Sequence, residues 1–274
     1  MNGMQRAAMF IAALAGAAAL AAAAQQQPAD ATAKAIEQYR EALSEDNPAE
    51  LWEARGEDLW KQKRGPKNAS LEQCDLGLGP GVVKGAYTVL PKYFADSGKV
   101  EDLESRLVTC MERLQGFTPE EARKNPFASP GKKVPMDALV AYVAAQSRGM
   151  KMNVSLDHPK AREAYEVGRK MFFYRAGPHD FGCVTCHGAD NERIRLQDLP
   201  NLTKTADAQR AYTTWPAYRV SQGEVRSMQW RLNDCFRQAR FPQLEFVSPG
   251  SIALELYLAY NANGAPMNAP AVKR

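Results

Sequence analysis

Three residues in the second half of the chain have the types and the spacing for covalent and metal chemistry. Cys183 and Cys186 are separated by two residues, and His187 follows directly. Two thiols at this spacing can each add across a vinyl group of haem, and the next residue can coordinate the iron from the proximal side. The Cys-x-x-Cys-His run therefore predicts one covalently bound haem c.

The same Cys-x-x-Cys pair could instead be a redox pair or half of a zinc site. A zinc site needs a second pair of ligands, and the remaining cysteines and histidines show no such pairing in the sequence. Thioredoxin-like redox pairs occur in a βαβ pattern, which the sequence around this run lacks. Haem attachment is therefore the preferred interpretation.

The N-terminal residues indicate export. Residues 1–24 contain Arg6, then an Ala-rich apolar stretch that ends in three alanines suited to signal-peptidase cleavage. We expect a secretory signal peptide rather than an uncleaved helix or a membrane anchor, because alanine is only weakly hydrophobic and no stop-transfer sequence follows. The mature protein is therefore expected in the periplasm without stable membrane insertion, where haem c attachment and disulfides are both possible.

The overall charge says little about partners. The chain has 35 basic and 31 acidic residues, a formal net charge of +4, and no long basic run. This balance argues against a nucleic-acid-binding protein. It is compatible with an anionic substrate but does not require one.

Mainly α structure is expected, because apolar residues recur at helical spacing and strand signals are scarce. The length and the order of elements predict two tandem cytochrome c-like domains, at 25–150 and 151–274. In the second, a helix at 159–175 precedes the Cys-x-x-Cys-His run and a helix at 250–261 follows it, the order expected of a small cytochrome c domain. Gly168 would allow these two helices to cross closely.

The first half repeats this order imperfectly, with helices at 48–63 and 135–146 on either side of Cys74. The positions after Cys74 that would need a second cysteine and a histidine are Gly77 and Leu78. The first domain is therefore predicted to lack haem.

A disulfide is the preferred interpretation of the two cysteines in the first half. Cys74 and Cys110 are the only cysteines there, and the compartment predicted above is oxidising. Their pairing would stabilise the fold by restricting the unfolded chain. Two free buried thiols are the alternative.

Cys235 is then the odd cysteine, and it lies far enough beyond His187 to supply a distal haem ligand. If this segment is helical, Arg231 lies one turn earlier on the same face. A guanidinium can hold an oxyanion through two parallel hydrogen bonds and favours the thiolate form of a cysteine, although an isolated arginine is often only a solvated charge. On spacing alone, Met228 or Met267 is an equally good distal ligand and would make the protein a periplasmic His/Met electron carrier.

Three segments together carry a resemblance to a known family. They are the Cys-x-x-Cys-His run, the sequence Gln-Trp-Arg-Leu-Asn-Asp-Cys at 229–235 and the sequence Ala-Tyr-Asn-Ala-Asn-Gly at 259–264. They resemble the A subunits of the SoxAX thiosulfate-oxidising cytochromes. That family has two cytochrome c-like domains, so the resemblance covers both halves and is strongest in 160–274. In some members the first domain carries its own haem, whereas this sequence is similar to the single-haem type, in which a disulfide stands in its place.

The resemblance implies a role for each candidate site residue. Cys183 and Cys186 would attach the haem and His187 would be its proximal ligand. Cys235 matches the distal ligand cysteine of the family, which is modified to a persulfide and is central to catalysis. Arg231 matches the arginine that binds substrate beside it.

The activity implied is that of an L-cysteine S-thiosulfotransferase, which joins thiosulfate oxidatively to a cysteine of a sulfur-carrier protein. The implied partners are a small cytochrome X subunit, in a heterodimer, and the SoxYZ carrier. One haem accepts one electron at a time, and the reaction releases two. We therefore expect the second electron to reach a haem of a partner subunit.

Overall fold

Helices dominate the regular secondary structure, so the mainly α class is confirmed. The computed structural model describes residues 45–123, 135–194 and 197–273, together with scattered positions between 31 and 42. The predicted signal peptide at 1–24 lies outside the described residues. Within the described ranges, no helix is both long and apolar enough to cross a membrane.

The longer helices match the predicted ones closely. The α-helices are, in chain order, α1 (Glu50–Lys61), α2 (Leu103–Cys110), α3 (Pro119–Ala122), α4 (Pro135–Ala145), α5 (Pro159–Phe173), α6 (Cys183–His187), α7 (Thr205–Tyr212), α8 (Met228–Gln238) and α9 (Pro249–Asn261). A 3₁₀ turn at Ala86–Val89 and a π turn at Met111–Gln115 complete the helical elements of the described residues.

The strands are short, and the sequence did not predict them. They are β1 (Lys92–Phe94), β2 (Lys99–Glu101), β3 (Arg193–Ile194), β4 (Gln197–Asp198), β5 (Ala217–Arg219), β6 (Glu224–Arg226) and β7 (Ala271–Lys273). β1 pairs with β2 and β3 pairs with β4, each pair antiparallel. β5 is the centre of a three-stranded sheet, antiparallel to β6 and parallel to β7. This sheet ties the C-terminal residues to the segment just before α8.

The same packing device occurs once in each half of the molecule. α5 packs against α9 at Gly168, where an added Cβ would lie 1.9 Å from the carbonyl oxygen of Ala253. The close crossing predicted for Gly168 is therefore confirmed. α1 packs against α4 at Gly56, where a Cβ would lie 2.0 Å from the carbonyl oxygen of Ala138. Glycine at both crossings lets one helix backbone rest directly on the other.

The first half contains the predicted disulfide. Cys74 and Cys110, at the end of α2, have an S–S distance of 2.00 Å, a Cα–Cα distance of 5.6 Å, and both are buried. The alternative of two free thiols is therefore wrong. The loop after Cys74 is held by the carboxylate of Asp75, which accepts hydrogen bonds from the amides of Gly77 at 2.7 Å and Gly79 at 3.0 Å.

A buried polar contact joins α8 to the first half. The side-chain amide of Gln229 donates to Asp102, the N-cap residue of α2, at 2.5 Å, and also to Glu255 on α9 at 3.4 Å. Its carbonyl oxygen accepts from the backbone amide of Val247 at 3.3 Å. Residues 48–274 form one compact unit, and the predicted domain boundary at 150 stays a prediction.

Candidate functional site

The short helix α6 presents the two cysteines of the Cys-x-x-Cys-His run. The chain is extended at Gly182, whose amide donates to the hydroxyl of Thr185 at 3.0 Å, and the helix begins at the next residue. Cys183 and Cys186 are free thiols and half-buried. Residues three apart on a helix share a face, so the two thiols can reach the same group.

His187 is fixed at one ring nitrogen and free at the other. Its Nδ1 lies 2.9 Å from the carbonyl oxygen of Pro200, a distance at which Nδ1–H donates to that oxygen. Burial lowers the pKa of His187, the hydrogen bond to Pro200 raises it, and the charge of Arg231 lowers it further. A neutral imidazole whose Nδ1 is engaged offers Nε2 to a metal, as metal-binding histidines commonly do.

α8 brings the fifth cysteine to the same place. The helix begins after Ser227, whose hydroxyl accepts from the backbone amide of Trp230 at 3.4 Å, so the segment of Cys235 is helical and the condition for Arg231 and Cys235 to share a face is met. The Cys235 thiol is half-buried and interacts electrostatically with the thiols of Cys183 and Cys186. Burial raises the pKa of Cys235, and the nearby charge of Arg231 opposes this increase. Three thiols from α6 and α8 therefore converge on one site.

Arg231 lies on the same face of α8 as Cys235 and retains hydrogen-bonding capacity. One guanidinium nitrogen donates to Asp234 at 3.2 Å, and the side chain is 25% exposed. Asp234 also accepts from Arg237 at 2.6 Å and from Gln238 at 2.8 Å. A guanidinium has five N–H donors, so this single contact leaves Arg231 able to bind an anion beside Cys235.

The two methionines considered as distal ligands are packed in the hydrophobic core. Met228 is 5% exposed and Met267 is 2% exposed. Met228 precedes Cys235 by about two helical turns, or roughly 10 Å along α8. The geometry therefore favours Cys235 as the residue that meets the haem cysteines.

Arg219 on β5 is a residue of this site that the sequence analysis missed. Burial and the nearby positive charge of Arg231 lower its pKa, while the charges of Asp234 and Cys235 raise it. The guanidinium carbon lies 5.9 Å from the ring centroid of Trp215. No local pattern marks this arginine, because it lies on β5, a short strand that the sequence did not predict.

The donor set of the site fits haem c. Cys183 and Cys186 are unpaired, which thioether formation requires, and His187 is oriented as a metal ligand by Pro200. Cys235 supplies a further sulfur from a different element. The chemistry available is therefore covalent haem attachment, ligation by nitrogen and sulfur, and anion binding at a cysteine.

Comparisons with known proteins agree on one family. The family model "SoxA/TsdA, cytochrome c domain" matches residues 55–152. The L-cysteine S-thiosulfotransferase subunit SoxA of Hydrogenophilus thermoluteolus is 56% identical over 241 residues, which cover 88% of each chain. A subunit of the same name from Hydrogenobacter thermophilus is 34% identical over 83% of this chain and 82% of the relative. The crystal structure of SoxXA from P. pantotrophus matches with a TM-score of 0.71 and 26% identity, over 86% of this chain and 84% of that one.

Proposed function

This chain belongs to the SoxA family of L-cysteine S-thiosulfotransferase subunits, and from that premise we propose how its residues perform the reaction. Thiosulfate is joined to a cysteine of a sulfur-carrier protein by a new S–S bond between the terminal sulfur of thiosulfate and the cysteine sulfur. The carrier thiol loses its proton, and two electrons are released. Haem c, when bound, supplies an acceptor for these electrons, one at a time.

Four side chains would hold one haem. Cys183 and Cys186 would form the thioether bonds, and His187 and Cys235 would coordinate the iron. The convergence of the three free thiols supports this assignment. A single haem is supported because the chain has one Cys-x-x-Cys-His run.

The observation that carries the catalytic proposal is the pairing of Cys235 with Arg231 beside α6. Thiosulfate is a dianion whose charge lies partly on three sulfonate oxygens, and the fork of Arg231 can bind two of them. This contact would hold the terminal sulfur of thiosulfate near the sulfur of Cys235. Cys235, in the persulfide form that the resemblance implies, is then placed to form an S–S bond with the terminal sulfur of thiosulfate as two electrons leave. The carrier thiolate would then attack this terminal sulfur, form the new S–S bond and release the Cys235 persulfide.

Asp234 acts by positioning rather than by touching substrate. Asp234 lies three positions after Arg231 on α8, and its hydrogen bond with Arg231 fixes the direction of the guanidinium. Gln229 positions the whole helix through its buried bonds to Asp102 and Glu255.

The partners follow from the electron count and from the relatives. Two electrons and one haem require a second acceptor, which would be the small cytochrome X subunit of a heterodimer. The solved relative is a SoxXA structure, which supports this assembly. The carrier would be a SoxYZ-type protein, and the location would be the periplasm after cleavage of residues 1–24.

We assign the first half as a cytochrome c-like domain without haem. The family model for a cytochrome c domain matches residues 55–152, which contain the disulfide and lack the Cys-x-x-Cys-His run. The glycine crossing of α1 on α4 has a counterpart in α5 on α9. These parallels support two domains of similar construction, at 25–150 and 151–274.

The test is thiosulfate-dependent cytochrome reduction by the haem-loaded heterodimer with its carrier protein. Cys235→Ala should lower the rate by about a thousandfold or more, because it removes the reacting sulfur. Arg231→Gln should raise KM for thiosulfate by about tenfold or more. Arg169→Gln is a matched control, because it removes an exposed arginine of α5 that pairs with Glu166. Full activity in Cys235→Ala would sink the catalytic proposal.

A second measurement tests the ligand assignment without turnover. The EPR spectrum of the ferric protein should show the narrow spread of g values typical of thiolate ligation. A broad His/Met-type spectrum would instead assign the sixth position to Met228 or Met267 and leave the protein an electron carrier.

A further inference from the structure

We infer that Arg219 is a second anion-binding residue of this site, which together with Arg231 holds the sulfonate end of thiosulfate beside Cys235. The inference rests on the proposed function for the identity of the anion. Its evidence is the burial, the missing hydrogen-bond partner and the position of the Arg219 guanidinium.

The Arg219 side chain carries a donor that lacks an acceptor. Its Nε is buried and has no hydrogen-bond partner among the described residues. Arg219 as a whole is only half-buried, so part of the residue remains accessible. A buried N–H of a charged group without an acceptor is costly, and an oxyanion in the site would satisfy it.

The local charge balance also calls for an anion. Arg219 and Arg231 both act on Cys235, and the carboxylate of Asp234 acts on Arg219 and Cys235 and accepts from Arg231. That carboxylate already accepts hydrogen bonds from Arg231, Arg237 and Gln238. The two positive charges at Cys235 therefore exceed the single negative charge of Asp234, and this excess favours binding of an anion.

The scaffold holds the two arginines on different elements. Arg231 projects from α8, whereas Arg219 is the last residue of β5. In the sheet, the backbone of Arg219 lies opposite Glu224 of β6 on one side and opposite Lys273 of β7 on the other. The ring of Trp215 lies 5.9 Å from the Arg219 guanidinium and limits its movement. Two forks from separate rigid elements can bind different oxygens of one sulfonate group.

This arrangement makes Arg219 a determinant of specificity for divalent oxyanions. A second positive charge attracts a dianion about twice as strongly as it attracts a monovalent anion at the same distance, because the Coulomb energy scales with the charge of the anion. The competing role for Arg219 is purely structural, as a cation packed on Trp215, and that role predicts no effect on anion binding.

The experiment measures equilibrium binding of sulfate, a divalent oxyanion that cannot react, to the haem-loaded heterodimer by calorimetric titration. Arg219→Gln should raise the Kd for sulfate by about tenfold to a hundredfold, since it removes a charge-assisted contact. Arg219→Lys keeps the charge without the fork and should give an intermediate Kd. The Kd for monovalent nitrate should rise by less, about threefold to tenfold in Arg219→Gln, because the Coulomb energy scales with the charge of the anion. Arg210→Gln is the control, because it removes an exposed arginine of α7 that pairs with Asp207.

Turnover separates this inference from the proposed function. If the function is correct, KM for thiosulfate should rise in parallel with the sulfate Kd, while kcat changes less. If the wild-type complex bound sulfate but showed no thiosulfate-dependent reduction, the proposed function would fail and the anion site would stand. A sulfate Kd in both Arg219 variants equal to that of wild type, with intact haem spectra, would overturn the role of Arg219.

Discussion

The two halves of the molecule share a helix-crossing device but differ in what their cysteines and polar groups do. In the first half, Cys74 and Cys110 are bonded to each other, and Asp75 satisfies the amides of its loop. In the second half, the thiols of α6 and α8 are free, and a nearby arginine nitrogen has no partner. A half built on a helix crossing of this kind therefore does not require free thiols for its fold. The free thiols of the second half indicate where the chemistry takes place.

The comparison also indicates what holds a half without the Cys-x-x-Cys-His run together. A haem c would be attached covalently to the segment of that run and would fill the space between the helices. In the first half, the disulfide links the loop at Cys74 to the end of α2, and buried apolar side chains such as Leu71, Leu76 and Leu107 fill the core. We expect stability to depend on the disulfide in the first half and activity to depend on free groups in the second.

Removing the disulfide is the largest expected change. The double variant Cys74→Ala/Cys110→Ala should lose about 4 kcal/mol of unfolding free energy, because the 36-residue separation no longer restricts the unfolded chain. Urea titration of the haem-loaded protein measures the loss. KM for thiosulfate, measured at a temperature where the variant is folded, should stay at the wild-type value. A raised KM in the folded variant would mean that the disulfide of the first half also affects substrate binding in the second half.

The buried carboxyl groups between the halves should make stability depend on pH. Both side-chain oxygens of Glu104 are buried and have no hydrogen-bond partner among the residues that the structure describes, and the carboxyl groups of Asp102 and Glu255 lie close by. Burial, and then the charge of Asp102, raises the pKa of Glu104 from 4.5 to about 8. Between these values the folded protein keeps a proton that the unfolded chain has lost. Stability should therefore fall as the pH rises through this window, by about 3 kcal/mol between pH 5 and pH 8.

The variant Glu104→Gln tests this cause, because an amide is neutral at every pH. It should flatten the fall in stability between pH 5 and pH 8. The slope that remains should have the same sign, since burial also raises the pKa of Asp137 to about 7. Glu163→Gln on the exposed side of α5 should leave the slope unchanged. An unchanged slope in Glu104→Gln would show that this carboxyl keeps its ordinary pKa.

The glycine crossings provide a test applied equally to both halves. Gly168→Ala and Gly56→Ala should each lose about 2 kcal/mol or more, because the new Cβ meets a backbone carbonyl and the helices must separate. Gly250→Ala is the control, since a Cβ there makes only an ordinary contact at 3.6 Å. Thermal unfolding measures all three. A loss at one crossing alone would show that the two helix pairs are not equivalent.

The smallest expected effect concerns the loop after Cys74. Asp75→Ala should cost about 1 kcal/mol, because the amides of Gly77 and Gly79 lose their acceptor. Asp75→Asn keeps one side-chain oxygen and should lose less. Equal losses in urea titrations of the two variants would show that the oxygen is not what holds the loop.

Local patterns in the sequence predicted much of the fold and of the candidate site. The Cys-x-x-Cys-His run, the helix of Cys235 and the crossing at Gly168 are signalled by spacing within one segment. Arg219 and Glu104 gave no such signal, because an arginine in a short strand and a glutamate in a helix are ordinarily surface residues. Each acquires its environment from a distant segment, Arg219 from α8 and Glu104 from α9. Long-range pairing of this kind leaves no local periodicity to detect.

The buried hydrogen bond from Gln229 to Asp102 makes the site in the second half depend on the first half. The helix that presents Cys235 is anchored, at its buried face, to the start of α2 in the half that lacks the Cys-x-x-Cys-His run. A fragment comprising only the half with that run would expose this amide and lose one of the supports of Cys235. A half without the run can therefore be retained for its shape, because it supports the helix that carries the reactive cysteine.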